Sequence, residues 1–216
     1  MNNGFPWLYS LQSRVSLVKP EVDEYAQIEK YVKRRYLETI EETPRLQGEP
    51  AFDARKREMF YLNIVWFMGL LLERKDRMSM ASGLEVRVPF CDYNLADYVW
   101  NIPWNLKFLA QQEKGILRLS LKGILPDEIL YRKKSPYPKT YNPFYAKEVR
   151  RLLTEILESP ESPILELIDK KAVYYYINQS DLYNMPFFGQ LMATPQMFAF
   201  LIQVNFWLKH YKVSVR

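Results

Sequence analysis

The run Met59-Phe60-Tyr61-Leu62-Asn63-Ile64-Val65-Trp66-Phe67-Met68-Gly69-Leu70-Leu71-Leu72 is apolar almost all round, broken by Asn63 and Gly69 alone. Apolar surface on every side predicts a central helix buried on most of its faces. It begins near Asp53, and its first two turns are charged, with Asp53, Arg55, Lys56, Arg57 and Glu58. This helix is expected to form the core of the fold. Its apolar part is much shorter than the roughly 20 residues that cross a bilayer, so no membrane span is expected.

The segments around it repeat the helical signal. Between Glu21 and Thr43 the apolar positions Tyr25, Ile28, Val32, Tyr36 and Ile40 recur at steps of three and four, and Pro44 ends the pattern. Glu73 to Asp92 mixes charges with Met78, Met80, Gly83 and Pro89 without a period and reads as an irregular connection. Asp92 or Asn94 can cap a short helix through Trp100, Gln112 to Gly123 continues helical, and Pro126-Asp127-Glu128 opens another short helix. Lys133 to Pro143 holds three prolines and no period, and reads as an extended loop. Helices follow over Pro143 to Leu157 and, from a cap-plus-proline start at Thr194 and Pro195, toward His210. The sum is about seven to nine helices and no strand, an all-α domain packed helix on helix. Seven glycines in 216 residues, against a usual frequency of roughly 7%, agree with it.

Composition excludes more than it selects. Apolar residues at 48% and aromatics at 15% exclude a disordered chain, and a chain this long should bury roughly 70% of its unfolded surface. The net charge of +5 is too small an excess to name a partner, and nucleic acid is not expected, because one short basic loop is not a basic stripe. One cysteine, Cys91, excludes an intrachain disulfide and, with one histidine, His210, a Cys/His metal cluster. A cytoplasmic location is the default. The N-terminus lacks a signal-peptide pattern and is expected to lie inside a longer reading frame.

Two segments carry the charges that chemistry needs. In Asp76-Arg77-Met78-Ser79-Met80-Ala81-Ser82-Gly83-Leu84-Glu85-Val86-Arg87-Val88-Pro89-Phe90-Cys91-Asp92, four charges follow directly on the most apolar helix. There an unpaired charge would cost several kcal/mol, so they pair with one another or with a ligand. Glu85 and Arg87 stitching a loop onto the core is the plainer alternative. In Tyr131-Arg132-Lys133-Lys134-Ser135-Pro136-Tyr137-Pro138-Lys139, cations alternate with aromatics, which suits phosphate or pyrophosphate as well as a solvated basic turn. Cys91, His210 and Tyr174-Tyr175-Tyr176 read as structure. The sequence holds no Gly-x-x-x-x-Gly-Lys-Ser/Thr, Gly-x-Gly-x-x-Gly or Gly-x-Ser-x-Gly cradle.

Taken together, Asp76-Arg77-x-Ser79-Met80-Ala81-x-Gly83-Leu84-Glu85-Val86-Arg87-Val88-Pro89-Phe90-x-Asp92 and Tyr131-Arg132-Lys133-Lys134 resemble the C-terminal part of glutamine-hydrolysing asparagine synthetases. Glu113-Lys114-x-Ile116-Leu117-Arg118 and Leu125-Pro126-x-x-Ile129 fall between them where that family has similar segments, and Gly4-Phe5-Pro6-Trp7 resembles the tail of its acidic stretch. The resemblance covers the chain to about Pro143 and then fades. It implies a single helical domain over residues 1–216, the helical C-terminal portion of an adenine-nucleotide α-hydrolase-like (PP-loop) synthetase domain, with residues 1–7 the tail of the upstream nucleotide-binding half.

The family's Ser-Gly-Gly-x-Asp-Ser pyrophosphate loop and its N-terminal glutaminase cysteine do not occur in these residues. The resemblance therefore implies that ATP and Mg2+ belong to a longer enzyme acting on aspartate, glutamine and ATP, and that this chain alone is inactive and binds no cofactor. It matches Glu85 and Lys134 to catalytic positions and Asp76, Arg87 and Lys133 to supporting or substrate-binding ones, with Lys133 a one-residue alternative to Lys134. No residue is expected to ligate a metal. The missing glutaminase and ATP-binding half are the expected partners, and exposed apolar surface at that boundary suits homodimerisation. A β-lactam-forming relative of the same scaffold and a non-catalytic helical binding module are the alternatives.

Overall fold

The computed structural model describes Phe5 and residues 11–135, 142–180 and 193–214. Its helices are α1 (Leu11–Val15), α2 (Pro20–Ala26), α3 (Ile28–Glu41), α4 (Ala51–Leu62), α5 (Gly69–Met80) and α6 (Tyr93–Trp100), followed by α7 (Trp104–Lys107) and α8 (Gly115–Ser120). The series closes with α9 (Asp127–Leu130), α10 (Pro143–Glu158), α11 (Lys170–Ile177) and α12 (Thr194–His210). Among the described residues there is no strand, only isolated bridges at Val18–Ile168 and Lys122–Leu125, so the fold is mainly α. The chain divides into two compact units, one of residues 1–42 with 138–216, the other of residues 43–137.

In the first unit α10 packs on α12, and the core gathers Leu153, Leu157, Ile164, Val173, Met197 and Phe198, all essentially without solvent exposure. Helical spacing on α10 puts Ala146, Val149, Leu153 and Leu157 on one face, as the apolar period requires. Side chains close the helix starts: Asn142 accepts from Phe144 N–H at 3.0 Å, Asp169 from Lys171 and Ala172, and Gln196 from Ala193 N–H at 2.9 Å. Buried Asn205 accepts from Ile164 N–H at 3.3 Å, tying the short turn Pro163–Glu166 to α12. The helix expected over Glu21 to Thr43 is broken at Gln27, which adopts left-handed φ 48° while Asp23 accepts from Ile28 N–H at 3.2 Å.

The second unit is built on a buried ion pair. Arg57, 2% exposed, donates twice to Glu49 from Nε (3.1 and 2.9 Å) and once from Nη2 (2.7 Å), and the Glu49 side chain is 7% exposed. Arg57 Nη1 donates to the Trp100 carbonyl at 2.8 Å, and its guanidinium lies 4.9 Å from the centre of the Trp100 ring. Lys107 joins it, donating to the same carbonyl at 3.3 Å with its ammonium 4.3 Å from the Trp104 ring. Hydrogen bonding from Arg57 holds the Glu49 carboxyl below its ordinary range, outweighing burial. Burial first, and then the Arg57 charge, lower the Lys107 pKa, with Glu49 partly opposing.

Two expectations are corrected here. The apolar run does continue as helix, passing through a π-helical turn at Asn63–Met68 between α4 and α5, but Phe60, Val65, Phe67, Leu70 and Leu71 are exposed and Leu62 is the apolar residue fully buried. Among the described residues of this unit Trp104 covers Phe60 only in part, their ring centres 4.9 Å apart. The stretch after Leu72 is not irregular at once, because α5 runs to Met80, supported by an Arg77–Glu73 pair one turn apart. It stops where Gly83 takes φ 68° and Leu84 N–H donates back to the Ser79 carbonyl.

Two outcomes follow from this packing. Phe198→Ala should destabilise the first unit by roughly 3–5 kcal/mol, read from denaturant unfolding. For Glu49 the folded pKa lies below the unfolded one, so its stabilisation is present above the unfolded value of 4.5 and is lost as pH falls through the folded value. Trp fluorescence of the unfolding transition should therefore show the second unit weakening below about pH 4.5, whereas Glu49→Gln should be weaker by about 3 kcal/mol at neutral pH and lose less on acidification.

Candidate functional site

The acidic segment is positioned by two helix ends. Asp76 lies in the last turns of α5, where its carbonyl accepts from Ser79 Oγ at 3.1 Å. At the far end Asp92 caps α6, accepting from Asn94 N–H at 2.8 Å and Leu95 N–H at 3.3 Å. Between them Glu85 and Arg87 pair at 2.9 Å, with side chains 67% and 85% exposed. Of the four charges Glu85 and Arg87 pair with each other, in solvent rather than against a core, so that pair is worth about 0–1 kcal/mol, whereas Arg77 pairs with Glu73 of its own helix.

The basic loop leaves α9. Pro126 precedes the helix, Leu130 is buried, and Tyr131 and Arg132 N–H donate back to the Asp127 and Ile129 carbonyls. Beyond it Lys133 and Lys134 line an open concavity of about 430 Å³ with Gln112, Glu113, Arg118 and Tyr131. Three cations face one carboxylate, so the concavity favours an anion. Both lysines line it, so its geometry accommodates either register. Asp76, Glu85 and Arg87 are not among its described lining residues. Residues 136–141, which complete the loop, and Gly4, Pro6 and Trp7 lie outside the described residues.

The opposite wall is a tight turn. Ala110, Gln111 and Lys114 hold left-handed φ of 53°, 57° and 59°, and Gly115 opens α8 where an added Cβ would meet the Leu109 backbone N and O at 2.5 Å. Glu113 and Arg118 stand out in the sequence only within the family-like segment and Gln112 not at all, and the short apolar period around Arg118 gives no signal that a loop twelve or more residues away folds onto it. Cys91 is a free thiol and His210 stacks on Phe206, both consistent with structural roles. Among the described residues no group of three or more His, Cys, Asp or Glu side chains is placed to hold a metal ion, and no helix is long and apolar enough to cross a membrane.

Residues 1–209 match the family model described as asparagine synthase. The chain belongs to the asparagine synthase family. It is 46% identical over its whole length to asparagine synthetase [glutamine-hydrolyzing] 3 of Bacillus subtilis, covering 35% of that protein. It is 30% identical over 65% of its length to a probable asparagine synthetase [glutamine-hydrolyzing] of Acanthamoeba polyphaga mimivirus, covering 25% of it. A third relative is amidase chry2 of Gibberella zeae, 27% identical over 63% of the chain and covered to 23%. The chain thus spans about a third or less of these relatives' lengths.

Gly115→Ala should destabilise the second unit by roughly 1–3 kcal/mol in denaturant unfolding, because the new methyl meets backbone. In an open helix the same change would stabilise by up to about 1 kcal/mol.

Proposed function

We propose that the chain is the helical C-terminal part of an ATP-dependent amide-forming ligase, a glutamine-hydrolysing asparagine synthetase, and that its two loops serve successive steps. What carries this reading is a concavity lined by Lys133, Lys134 and Arg118 in a chain 46% identical along its whole length to a protein of that name. In the first step an oxygen of the aspartate side-chain carboxylate attacks the α-phosphorus of ATP, the bond to the bridging oxygen breaks, and pyrophosphate leaves with the electron pair. Lys134 supplies positive charge where that leaving group gains negative charge. In the second, ammonia released from glutamine attacks the acyl carbon of the β-aspartyl adenylate, the bond to AMP breaks, and the nitrogen gives up a proton that Glu85 guides or accepts.

Arg87 orients Glu85 through their ion pair, Asp76 supports the segment from α5, and Lys133 adds charge to the same concavity. On this reading ATP phosphates and Mg2+ belong to a phosphate loop and acidic stretch elsewhere in a longer polypeptide. The same reading makes residues 1–216 one helical portion of a synthetase domain, inactive alone, joined to a glutaminase and an ATP-binding half, cytoplasmic and homodimeric. Exposed Phe60, Phe67, Leu70 and Phe90 support burial against further protein.

In the complete synthetase polypeptide, Lys134→Ala should slow pyrophosphate formation by roughly a hundredfold with ATP binding little changed. Glu85→Gln should slow asparagine formation while pyrophosphate release stays near normal. Lys133→Ala should be mild. Rapid-quench measurement of both products decides it: a severe Lys133→Ala defect with normal Lys134→Ala moves the role by one residue, and mild effects in all three reduce both loops to surface charge.

A further inference from the structure

Arg118 differs from the other cations of the concavity in where its donors go. Nε donates to the Glu113 carbonyl at 2.8 Å, Nη1 to the Leu130 carbonyl, and Nη2 to the Arg132 carbonyl at 3.3 Å. One planar fork therefore joins three backbone points: the turn before α8, the last residue of α9, and the peptide that leads into Lys133. A lysine, with a single point charge, has no such fork. The first point is fixed by the left-handed residues Ala110, Gln111 and Lys114 and by the close approach of Gly115 to Leu109, and the second by burial of Leu130. The third, Arg132, is exposed, and its remaining described anchor is its N–H to the Ile129 carbonyl at 3.3 Å.

The direction of the Arg132 peptide decides where Lys133 and Lys134 leave the chain. With its three nitrogens turned to carbonyls, Arg118 faces backbone rather than an incoming anion. We propose that Arg118 is a positioning residue: by clamping the Glu113, Leu130 and Arg132 carbonyls it holds the basic loop in the one arrangement in which Lys134 meets the departing pyrophosphate. This inference rests on the phosphate reading of the loop given above. A clamp on backbone acts through the lysine, so its loss should resemble loss of the lysine and should not add to it.

Two measurements test it. In the 216-residue chain, hydrogen exchange resolved by NMR should show Arg118→Met raising the exchange of the Tyr131 and Arg132 amides by about tenfold or more, with α10 amides unchanged and Arg118→Lys intermediate. Arg118→Lys carries the test should Arg118→Met not fold. In the complete synthetase polypeptide, Arg118→Met should lower kcat for pyrophosphate formation with KM for ATP unchanged, and Arg118→Met combined with Lys134→Ala should be no slower than Lys134→Ala alone. Unchanged exchange in a folded variant, or additive losses in the double variant, would overturn the proposal. A full rate in Lys134→Ala with exchange still raised by Arg118→Met overturns the phosphate reading and leaves the clamp supported.

Discussion

A guanidinium with 2% of its surface in water has to find every partner inside the protein, and this constraint organises the second unit. Arg57 meets it with one carboxylate, one carbonyl and one ring face, drawn respectively from the loop before α4, the end of α6 and the Trp100 side chain. Lys107 brings a second cation to the same place, where burial first and then the Arg57 charge lower its pKa, with Glu49 opposing. The Trp100 carbonyl, shared by the two cations, and the Trp104 ring supply the rest of the negative potential. The hub therefore fixes the start of the α4–α5 helix relative to the end of α6. The acidic segment is the chain that runs between the other ends of these same two elements, and its Phe90 lines one pocket with Arg57, Trp100, Trp104 and Lys107 of the hub.

The exposed side chains between Phe60 and Leu71 show what an all-round apolar helix means when the described residues of its own unit cover it only in part. Burial stabilises by roughly 25 cal/mol per Å² of apolar surface removed from water, and Phe60, Phe67, Leu70 and Leu71 gain little of it here. The first unit is the contrast: α10 has a more mixed sequence, yet its one apolar face is completely covered by α12, Ile164 and Val173. A face matched to a neighbour in the same chain builds a core, and excess apolar surface without one does not. Composition along a helix thus reports what must eventually be covered and says little about what covers it.

Much of the fold was legible in the sequence for this reason. The period of α10, the cap at Asp92 and the proline starts of α9 and α12 are local signals, each decided within four residues, and each appears where the spacing puts it, except that α12 is capped at Ala193 rather than at Thr194. The break at Gln27 was not legible, since no glycine marks it and the apolar period runs through it. Nor was the continuation of α5, where polar residues held by an exposed Glu73–Arg77 pair carry no burial signal. At the candidate site the charged residues were conspicuous by type, but the contacts of Arg118 became visible only when α9 folded back on α8. A backbone clamp of that kind depends on distant carbonyls, which are the same atoms whatever the sequence.

The two halves of the candidate site are held in physically opposite ways. Glu85 and Arg87 form a pair so exposed that water already competes for both, and separating them costs about 1 kcal/mol or less. Their geometry is cheap to change, which suits groups that must take up different partners as a reaction proceeds. The basic loop is tied at its base to three carbonyls by a half-buried arginine, and leaving the one on buried Leu130 unmade costs about 1–3 kcal/mol. Charge stabilisation of a leaving group requires the opposite of adaptability, because a cation that must first move to meet the developing charge loses part of the benefit in reorganisation. For the two-step transfer proposed above, rigid support beneath the lysines would serve the cation of the first step and a loose pair on the acidic segment the carboxylate of the second.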